Sequence, residues 1–253
     1  MTRSDKIELL EKYYRKYNQI GFIKDDPISI PHRFSKKQDI EISGFFAAIF
    51  SWGQRVTIIN KCNSLLQLMD NEPYQFIMQH QSSDLKPFEN FKHRTFNGTD
   101  ALYFIAYLKD FYQSHKSLEE AFIEKGSTNM QAILTGFHEQ FFALDYAPKR
   151  TQKHIATPAR NSTCKRLNMF LRWMVRKDDQ GVDIGIWENI STNILMMPLD
   201  VHVERSARKL GLIKRKQRDW KTVEELTQNL RKFDSVDPVR FDYALFGMGL
   251  EKY

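Results

Sequence analysis

One stretch decides the fold class: residues 40–51 read IEISGFFAAIFS. Apolar residues occur on every side of the helix that this stretch would form, which is too many for a helix at the surface. The pattern therefore predicts a helix that is buried all round. Helical spacing resumes after Gly53, over Val56–Met69, and strand-like alternation is rare in the rest of the chain. Together these patterns predict an all-α fold.

Helical patterns with recognisable start signals continue on both sides of this stretch. Asp100, Asp200 and Asp237 have the position and the side chain of N-cap residues, and Thr222 with Glu225 forms a capping-box pattern. The predicted helices cover about 4–19, 100–111, 117–123, 130–142, 166–175, 201–210, 222–233 and 238–248.

The chain has 253 residues, which corresponds to one or two domains. It contains no internal repeat, no low-complexity tract and no long linker. We expect one two-lobed helical domain over residues 1–253. In this prediction lobe A covers about 41–145, and lobe B combines about 1–40 with 146–253.

The composition excludes several classes of protein. Apolar residues make up 42% of the chain, which excludes a disordered protein. No apolar run reaches the ~18 residues of a membrane span, and the first residues lack the apolar core of a secretory signal. Cys62 and Cys164 are too few for a disulfide scaffold, a four-cysteine zinc site or an iron–sulfur cluster. We therefore expect a cytoplasmic protein with reduced thiols and without a metal or another cofactor.

The net charge of +7 is concentrated in two regions of the chain. Residues 146–177 contain nine Lys or Arg and no acid, and residues 204–221 contain eight basic residues and two acids. A field concentrated in this way attracts polyanions, so nucleic acid is the first candidate for a partner. The alternative is a solvated helical surface on which Lys and Arg are scattered.

Three segments contain residue types that could carry chemistry. In residues 160–176, which read RNSTCKRLNMFLRWMVR, Lys165 lies at the start of a predicted helix beside Arg166. The positive end of the helix and the neighbouring arginine favour a neutral amine, which is the form of lysine that acts as a nucleophile. The alternative is an ordinary solvated lysine.

Asp200 lies in the second segment, where residues 197–205 read MPLDVHVER. A carboxylate at this position can face a pocket, although most aspartates at a helix start only cap the helix. The third segment, residues 50–62, joins two predicted helices through a turn at Gly53 and Gln54. That turn either inserts Gln54 into a stack of DNA bases or is a plain polar connection.

Nearly the whole chain resembles an uncharacterised bacterial family of conserved hypothetical proteins, a domain of unknown function. The segments that carry this resemblance are DPI at 26–28, HRTFNG at 93–98, CKRLNMFLRWM at 164–174, PLDVHV at 198–203 and FDYAL at 241–245.

More distantly, the chain resembles the helix-hairpin-helix DNA glycosylase superfamily, particularly its archaeal 8-oxoguanine glycosylase branch. PLDVHV is similar to the segment that holds the catalytic Asp of that superfamily. SWGQ at 51–54, followed by NK at 60–61, is similar to the segment whose glutamine fills the gap left by a flipped base. The interval between Lys165 and Asp200 also suits the archaeal branch.

One departure concerns the hairpin that gives the superfamily its name. No Leu-Pro-Gly-Val-Gly sequence precedes Asp200, and residues 183–192 read DIGIWENIST instead. We therefore expect a two-lobed glycosylase fold whose helix-hairpin-helix is degenerate or absent. The resemblance further implies a bacterial protein that acts as a monomer, at the nucleoid, on double-stranded DNA with a damaged base or an abasic site.

The activity implied by the resemblance is that of a DNA glycosylase and AP lyase. Lys165 attacks the sugar C1′ to form a Schiff base, and Asp200 stabilises the positive charge that develops on the sugar. A damaged purine, with oxidised guanine favoured, is flipped into a base pocket. The implied nucleic-acid contacts are Gln54, Arg55, Arg150, Lys153, Arg160, Arg166, Arg172 and His202, and the implied base pocket contains Trp52, Phe241, Asp242 and Phe246.

Two other functions stay open at this point. A non-catalytic nucleic-acid-binding protein on the same scaffold would use Lys165 only as a phosphate contact, and the missing hairpin favours this alternative. A structural or protein-interaction protein would use its basic and acidic regions to bind a partner. Covalent trapping separates the first function from the second, and steep salt dependence of DNA binding separates both from the third.

Overall fold

The computed structural model describes residues 1–123 and 129–251. Helix accounts for 65% of the structure and strand for 2%, which confirms the predicted all-α class. None of the helices in these two ranges combines the length and the apolar character needed to cross a membrane. The α-helices are α1 (Arg3–Tyr17), α2 (Lys37–Phe50), α3 (Arg55–Gln67), α4 (Pro73–Gln79), α5 (Lys86–Glu89), α6 (Gly98–Ser114), α7 (Glu120–Ile123), α8 (Met130–Phe141), α9 (Lys165–Val175), α10 (Val201–Lys209), α11 (Trp220–Arg231) and α12 (Phe241–Leu250).

The described residues form two compact units. The terminal unit contains residues 1–24, 129–132 and 157–251, and the central unit contains residues 25–123 and 133–156. These bounds differ from the expected lobes, which meet near residues 40 and 145. The assignment of the lobes stays a prediction.

The core of the central unit surrounds α2, as the apolar stretch at 40–51 predicts. Every residue from Ile40 to Phe50 is buried. The ring of Phe45 packs against the rings of Phe104, Phe137 and Phe141, with centroids 5.6–6.0 Å apart. This aromatic packing joins α2 to α6 and α8, because large rings dominate the apolar area that a small core can bury.

A short β-hairpin in the central unit has no counterpart in the predicted elements. Its strands are β1 (Lys92–His93) and β2 (Phe96–Asn97), which pair antiparallel through the two-residue turn of Arg94 and Thr95. Strands of two residues are too short to produce a recognisable alternation of polar and apolar residues. The ring of buried His93 ties the hairpin to the end of α2, since its Nε2 lies 3.0 Å from the carbonyl oxygen of Phe50.

Two of the predicted helix starts are displaced by three residues. Asn97, and not Asp100, is the N-cap of α6, and Asp100 is the third residue of a capping box. Likewise Asp219 caps α11, and Thr222 lies three residues into it. In both cases the chain offers two cap-forming residues three positions apart, and the first one becomes the cap. Asp100 completes a capping box with Asn97, whereas Thr222 donates its amide hydrogen to the Asp219 side chain.

The carboxylate of Asp100 is fully buried and has several donors. Thr151 Oγ1 donates to it at 2.7 Å, the Nε2 of His154 lies 3.2 Å from it, and Arg150 forms an ion pair with it. Burial raises the pKa of Asp100, but the hydrogen bonds from His154, the Asn97 backbone and Thr151 outweigh that effect and hold it at about 2. This network fixes the segment at residues 149–154 against the start of α6.

Helix α12 is the centre of the terminal unit and packs against both α1 and α10. Two glycines permit these close approaches. A Cβ atom at Gly247 would lie 2.2 Å from the ring of Tyr17 on α1, and a Cβ at Gly249 would lie 2.7 Å from the carbonyl oxygen of His202 on α10. Since Asp200 is the N-cap of α10, the small residue at 249 sets the distance between α12 and the candidate catalytic segment.

We predict that Gly249→Ala lowers the free energy of unfolding by about 2 kcal/mol, because the added methyl group collides with backbone atoms that cannot move aside. The matched control is Gly21→Ala, where nothing lies within 4 Å of the added Cβ. The control should stay within about 0.5 kcal/mol of the wild type. Urea unfolding monitored by circular dichroism measures both values, and equal stabilities for the two variants would contradict the proposed contact.

Candidate functional site

Lys165 is the first residue of α9, and a strained backbone sets its position. Cys164 immediately before it has φ +50°, a conformation that residues other than glycine rarely adopt. Two hydrogen bonds hold this turn: the Cys164 amide donates to Ser162 Oγ at 3.2 Å, and Asn168 Nδ2 donates to the Thr163 carbonyl oxygen at 3.1 Å. Lys165 is half-buried, and its Nζ makes no hydrogen bond or ion pair with the described residues.

Cys164 itself is not a competing nucleophile. Its side chain is buried, and this burial raises the pKa of the thiol to about 12. The thiol is therefore protonated at neutral pH, and only the thiolate attacks efficiently.

Asp200 caps α10, as predicted, with a single carboxylate oxygen. Its Oδ1 accepts hydrogen bonds from the amides of His202 at 2.8 Å and Val203 at 2.9 Å. Its Oδ2 accepts none from the described residues, and the side chain is only half-buried. The cap thus fixes the orientation of the carboxylate while one oxygen stays available for a ligand.

Asp242 connects these two residues electrostatically. It lies in the first turn of α12 and is buried. Burial raises its pKa to about 7; Asp200 also raises it, whereas Arg172 and Lys165 lower it. Lys165 and Asp200 are therefore both within electrostatic reach of one buried carboxyl group. The beginnings of α9, α10 and α12 supply one residue each to this group, which we call the Lys165–Asp200–Asp242 site.

Arg172 holds Asp242 from the side of α9. Its Nη1 forms an ion pair with Asp242, its Nε donates to Asp183 Oδ1 at 3.1 Å, and its guanidinium lies over the Tyr243 ring at 4.3 Å from the centroid. Burial lowers the pKa of Arg172, but Asp183, Tyr243 and Asp242 raise it above its ordinary value. The side chain is 5% exposed, which leaves it no surface for the phosphate contact predicted from the sequence.

Arg176 lies one turn further along α9 and shares Asp183 with Arg172. Its Nη1 lies 3.0 Å from Asp183 Oδ2, and its Nε lies 2.8 Å from Asp237 Oδ2. Its Nη1 also forms an ion pair with Asp178 at 2.7 Å, and its Nη2 donates a hydrogen bond to the hydroxyl of Tyr14 at 2.6 Å. Asp237 occupies the N-cap position before Pro238, as predicted, but its side chain binds the buried Arg176 and makes no capping hydrogen bond. We call these contacts the Arg172–Arg176 cluster; its acidic members are Asp178, Asp183, Asp237 and Asp242.

Sequence reasoning missed Asp183 and Arg176 as parts of the site. The only available signal was that Lys165, Arg172 and Arg176 occupy one face of the same helix. Arg172 is predicted there as a nucleic-acid contact, because no acid occurs between residues 146 and 177 to pair with it. The acids that neutralise it come from later segments of the chain, so only the tertiary structure identifies them.

The other predicted residues of the terminal unit fall into two groups. Phe241 is fully buried and belongs to the core, whereas Phe246 is half-buried and its ring lies 5.6 Å from the ring of His202. Arg160 is exposed, and Arg166 is half-buried. Phe246 and His202 therefore stay candidate contacts for DNA, whereas Phe241 packs in the core.

The remaining predicted contacts belong to the central unit. Trp52 is half-buried, whereas Gln54 and Lys153 are exposed. Arg55 forms an ion pair with Asp26 at 3.1 Å, and Arg150 forms one with Asp100. These two arginines are therefore already engaged by carboxylates.

Within residues 1–123 and 129–251 there is no group of three or more His, Cys, Asp and Glu side chains that could hold a metal ion. Lys165, Asp200 and Asp242 offer an amine and two carboxyl groups, and the amine and one carboxylate both affect the pKa of the buried carboxyl group. Such a set can perform nucleophilic attack, proton transfer and stabilisation of positive charge.

We predict that Asp183→Asn lowers the free energy of unfolding by about 3 kcal/mol or more, because two buried guanidinium groups lose a shared counter-charge. The matched control is Asp179→Asn, which removes an exposed carboxylate without a partner among the described residues. Thermal unfolding followed by circular dichroism compares the two. A similar, small loss in both variants would mean that the Arg172–Arg176 cluster does not hold the fold together.

The comparisons with known proteins identify a family but not an activity. No curated protein and no solved structure matches the chain. A family described as "Protein of unknown function (DUF2400)" matches residues 26–251, which is most of the chain. The protein belongs to this DUF2400 family.

Proposed function

We propose that the protein is a DNA glycosylase and AP lyase that removes a damaged purine through a Schiff base on Lys165, with oxidised guanine as the favoured lesion. One observation carries this proposal. Lys165 and Asp200 are thirty-five residues apart in the sequence, yet both act on the buried carboxyl group of Asp242. The Lys165 amine and the Asp200 Oδ2 have no protein hydrogen-bond partner among the described residues, so both are available to a substrate.

The chemistry needs an amine that can attack the sugar. The lone pair of the neutral Lys165 Nζ forms a bond to C1′, and the bond between C1′ and the base nitrogen breaks. The base leaves with that electron pair and takes up a proton. The bonded amine then loses a proton, its nitrogen lone pair forms a double bond to C1′ as the C1′–O4′ bond opens, and O4′ takes up a proton. The product is a protonated imine. Abstraction of a C2′ proton expels the 3′ phosphate, which is the lyase step.

Asp200 and Asp242 have different tasks in this proposal. Ionised Asp200 presents one fixed oxygen to the positive charge that develops on the sugar, and fixed charges stabilise a transition state without reorganisation. Asp242 has a pKa of about 7 and can therefore accept or donate a proton near neutral pH. It can also hydrogen-bond the flipped base, beside the half-buried ring of Phe246.

Exposed polar and basic side chains supply the proposed contacts to the DNA. Lys153 and Arg160 would contact phosphates, and Gln54 would enter the gap left by the flipped base. The proposal includes a monomer that acts in the cytoplasm on the bacterial nucleoid. Arg55, Arg150 and Arg172 are left out of the proposed interface because each is paired with a carboxylate.

The proposal predicts covalent trapping on DNA. Borohydride reduction of the imine should link wild-type protein to a duplex with an abasic site, and to a duplex with 8-oxoguanine. Lys165→Gln should reduce the adduct at least about 100-fold, because the attacking amine is gone. Asp200→Asn should slow its formation by about 100-fold, because the stabilising charge is gone.

The matched control for this experiment is Lys177→Gln, which removes an exposed lysine two residues beyond the end of α9 and should trap like the wild type. An adduct that survives Lys165→Gln would assign the nucleophile to another lysine. If wild-type protein forms no adduct and releases no base, the catalytic proposal fails for these substrates.

A second prediction concerns the pH dependence of trapping on abasic DNA. Burial raises the pKa of Asp242 to about 7, so this carboxyl group changes from a proton donor to a proton acceptor near neutral pH. Asp242→Asn removes the titrating group, so the change of the trapping rate near pH 7 should disappear. An unchanged profile, in a variant that circular dichroism shows to be folded at the assay temperature, would show that Asp242 does not take part in proton transfer.

One structural observation favours a second candidate function. From Arg176 to Asp200 the structure forms only a short 3₁₀ turn (Thr192–Ile194), so no pair of α-helices lies between α9 and Asp200. This agrees with the missing hairpin and favours a non-catalytic nucleic-acid-binding protein. Salt-dependent binding to duplex DNA without any trapping would support this second function.

A further inference from the structure

We propose that Arg94, held over the ring of Trp52, binds a phosphodiester group of nucleic acid. Neither residue 94 nor its hairpin belongs to the Lys165–Asp200–Asp242 site. The choice of nucleic acid as the source of the phosphodiester rests on the proposed function, whereas the site itself rests on the geometry of the central unit.

The backbone at Arg94 adopts a conformation that its side chain disfavours. Its φ is +54°, in the left-handed region where glycine, asparagine and aspartate are common and arginine is rare. The residue occupies the first position of the two-residue turn between β1 and β2. A two-residue hairpin turn requires a positive φ at its first position, so the hairpin itself imposes this conformation, and glycine or asparagine would be the ordinary residue there.

The contact that holds the side chain of Arg94 lies at the end of α2. The guanidinium carbon of Arg94 lies over the Trp52 ring, 5.4 Å from the centroid, which is within the range of a cation–π interaction. Trp52 in turn packs edge-on against the ring of His93, whose Nε2 lies 3.0 Å from the carbonyl oxygen of Phe50. The contacts of His93 with Trp52 and Phe50 therefore connect the hairpin, which carries Arg94, to the end of α2.

Gly53 makes room for the guanidinium. Its φ is +116°, and a Cβ atom at this position would lie 2.6 Å from Arg94 Nη2 and 2.8 Å from Nε. A side chain at 53 would be strained by this φ, and its Cβ would require the guanidinium of Arg94 to shift from its position over Trp52.

Arg94 differs from the arginines that the fold uses internally. Arg55, Arg150 and Arg172 each pair with a carboxylate, whereas Arg94 is exposed and makes no hydrogen bond or ion pair with the described residues. Its stacked position keeps a rigid fork of N–H donors at the surface. Such a fork matches the paired oxygens of a phosphodiester, and an oriented side chain loses less entropy when it binds one.

The test measures the affinity of the full chain for an undamaged 20-base-pair duplex by fluorescence anisotropy across a series of salt concentrations. Arg94→Asn removes the cation but keeps a residue that tolerates positive φ, so the hairpin should survive. The plot of log K against log salt concentration has a negative slope, and one lost phosphate contact should make it less steep by about 0.9. If both proteins bind equally at 1 M salt, the variant binds about eightfold more weakly at 0.1 M salt.

Two further variants make this result specific. Lys86→Gln removes one positive charge from another exposed position of the central unit and should leave the slope unchanged. Trp52→Leu keeps the charge of Arg94 but removes its support, so it should weaken binding with a smaller change of slope than Arg94→Asn.

Three results would overturn the proposal: no binding of the duplex by the wild type, wild-type affinity and slope for Arg94→Asn, or an equal loss for Lys86→Gln. An affinity that falls only for particular base sequences, at constant slope, would assign Arg94 to a base edge instead of a phosphodiester.

Trapping on abasic DNA distinguishes a failure of the Arg94 assignment from a failure of the proposed function. If Arg94→Asn binds and traps like the wild type, the Arg94 assignment alone is wrong. If the slope changes as expected but the wild type forms no adduct, the catalytic proposal alone is wrong.

Discussion

The contact on which the terminal unit depends is that of Arg172 with two buried carboxylates, Asp183 and Asp242. A guanidinium buried to this degree is tolerated only with matched counter-charges, and two carboxylates so close together need a cation between them. The contact therefore fixes α9, α12 and the irregular segment after α9 at once. Arg176 repeats the arrangement one turn later, with Asp183 shared between the two arginines. The positions of Lys165 and Asp242 follow from this arrangement, since they lie at the first turns of the two helices.

This internal pairing also changes the meaning of the basic region at residues 146–177. Arg150, Arg172 and Arg176 are neutralised by carboxylates from other parts of the chain, so a third of its nine cations do not contribute an unpaired charge to the surface. The charge count alone therefore overstates the attraction to a polyanion. An arginine without a carboxylate, such as Arg94, is a stronger candidate for a nucleic-acid contact than an arginine in a dense basic run, because its donors are not already satisfied.

Local features of the sequence predict the local structure well. The apolar stretch at 40–51 becomes a buried helix, Asp200 caps α10, and the pattern at 166–175 becomes α9 with Lys165 at its start. Features that depend on distant residues could not be predicted in this way. The hairpin at 92–97 is too short for a periodic pattern, and the partners of Arg172 are 11 and 70 residues away in the chain. Lys165, Asp200 and Asp242 could each be named from the sequence, but their common electrostatic environment is a property of the packed helices.

The proposed reaction forms a covalent bond between the amine of Lys165 and the sugar of damaged DNA. To locate this bond, the wild-type protein is reduced with borohydride in the presence of an abasic duplex, the product is digested, and the modified residue is identified by mass spectrometry. We expect a sugar adduct on Lys165. An adduct on another amine, or no adduct at all, would show that Lys165 is not the nucleophile.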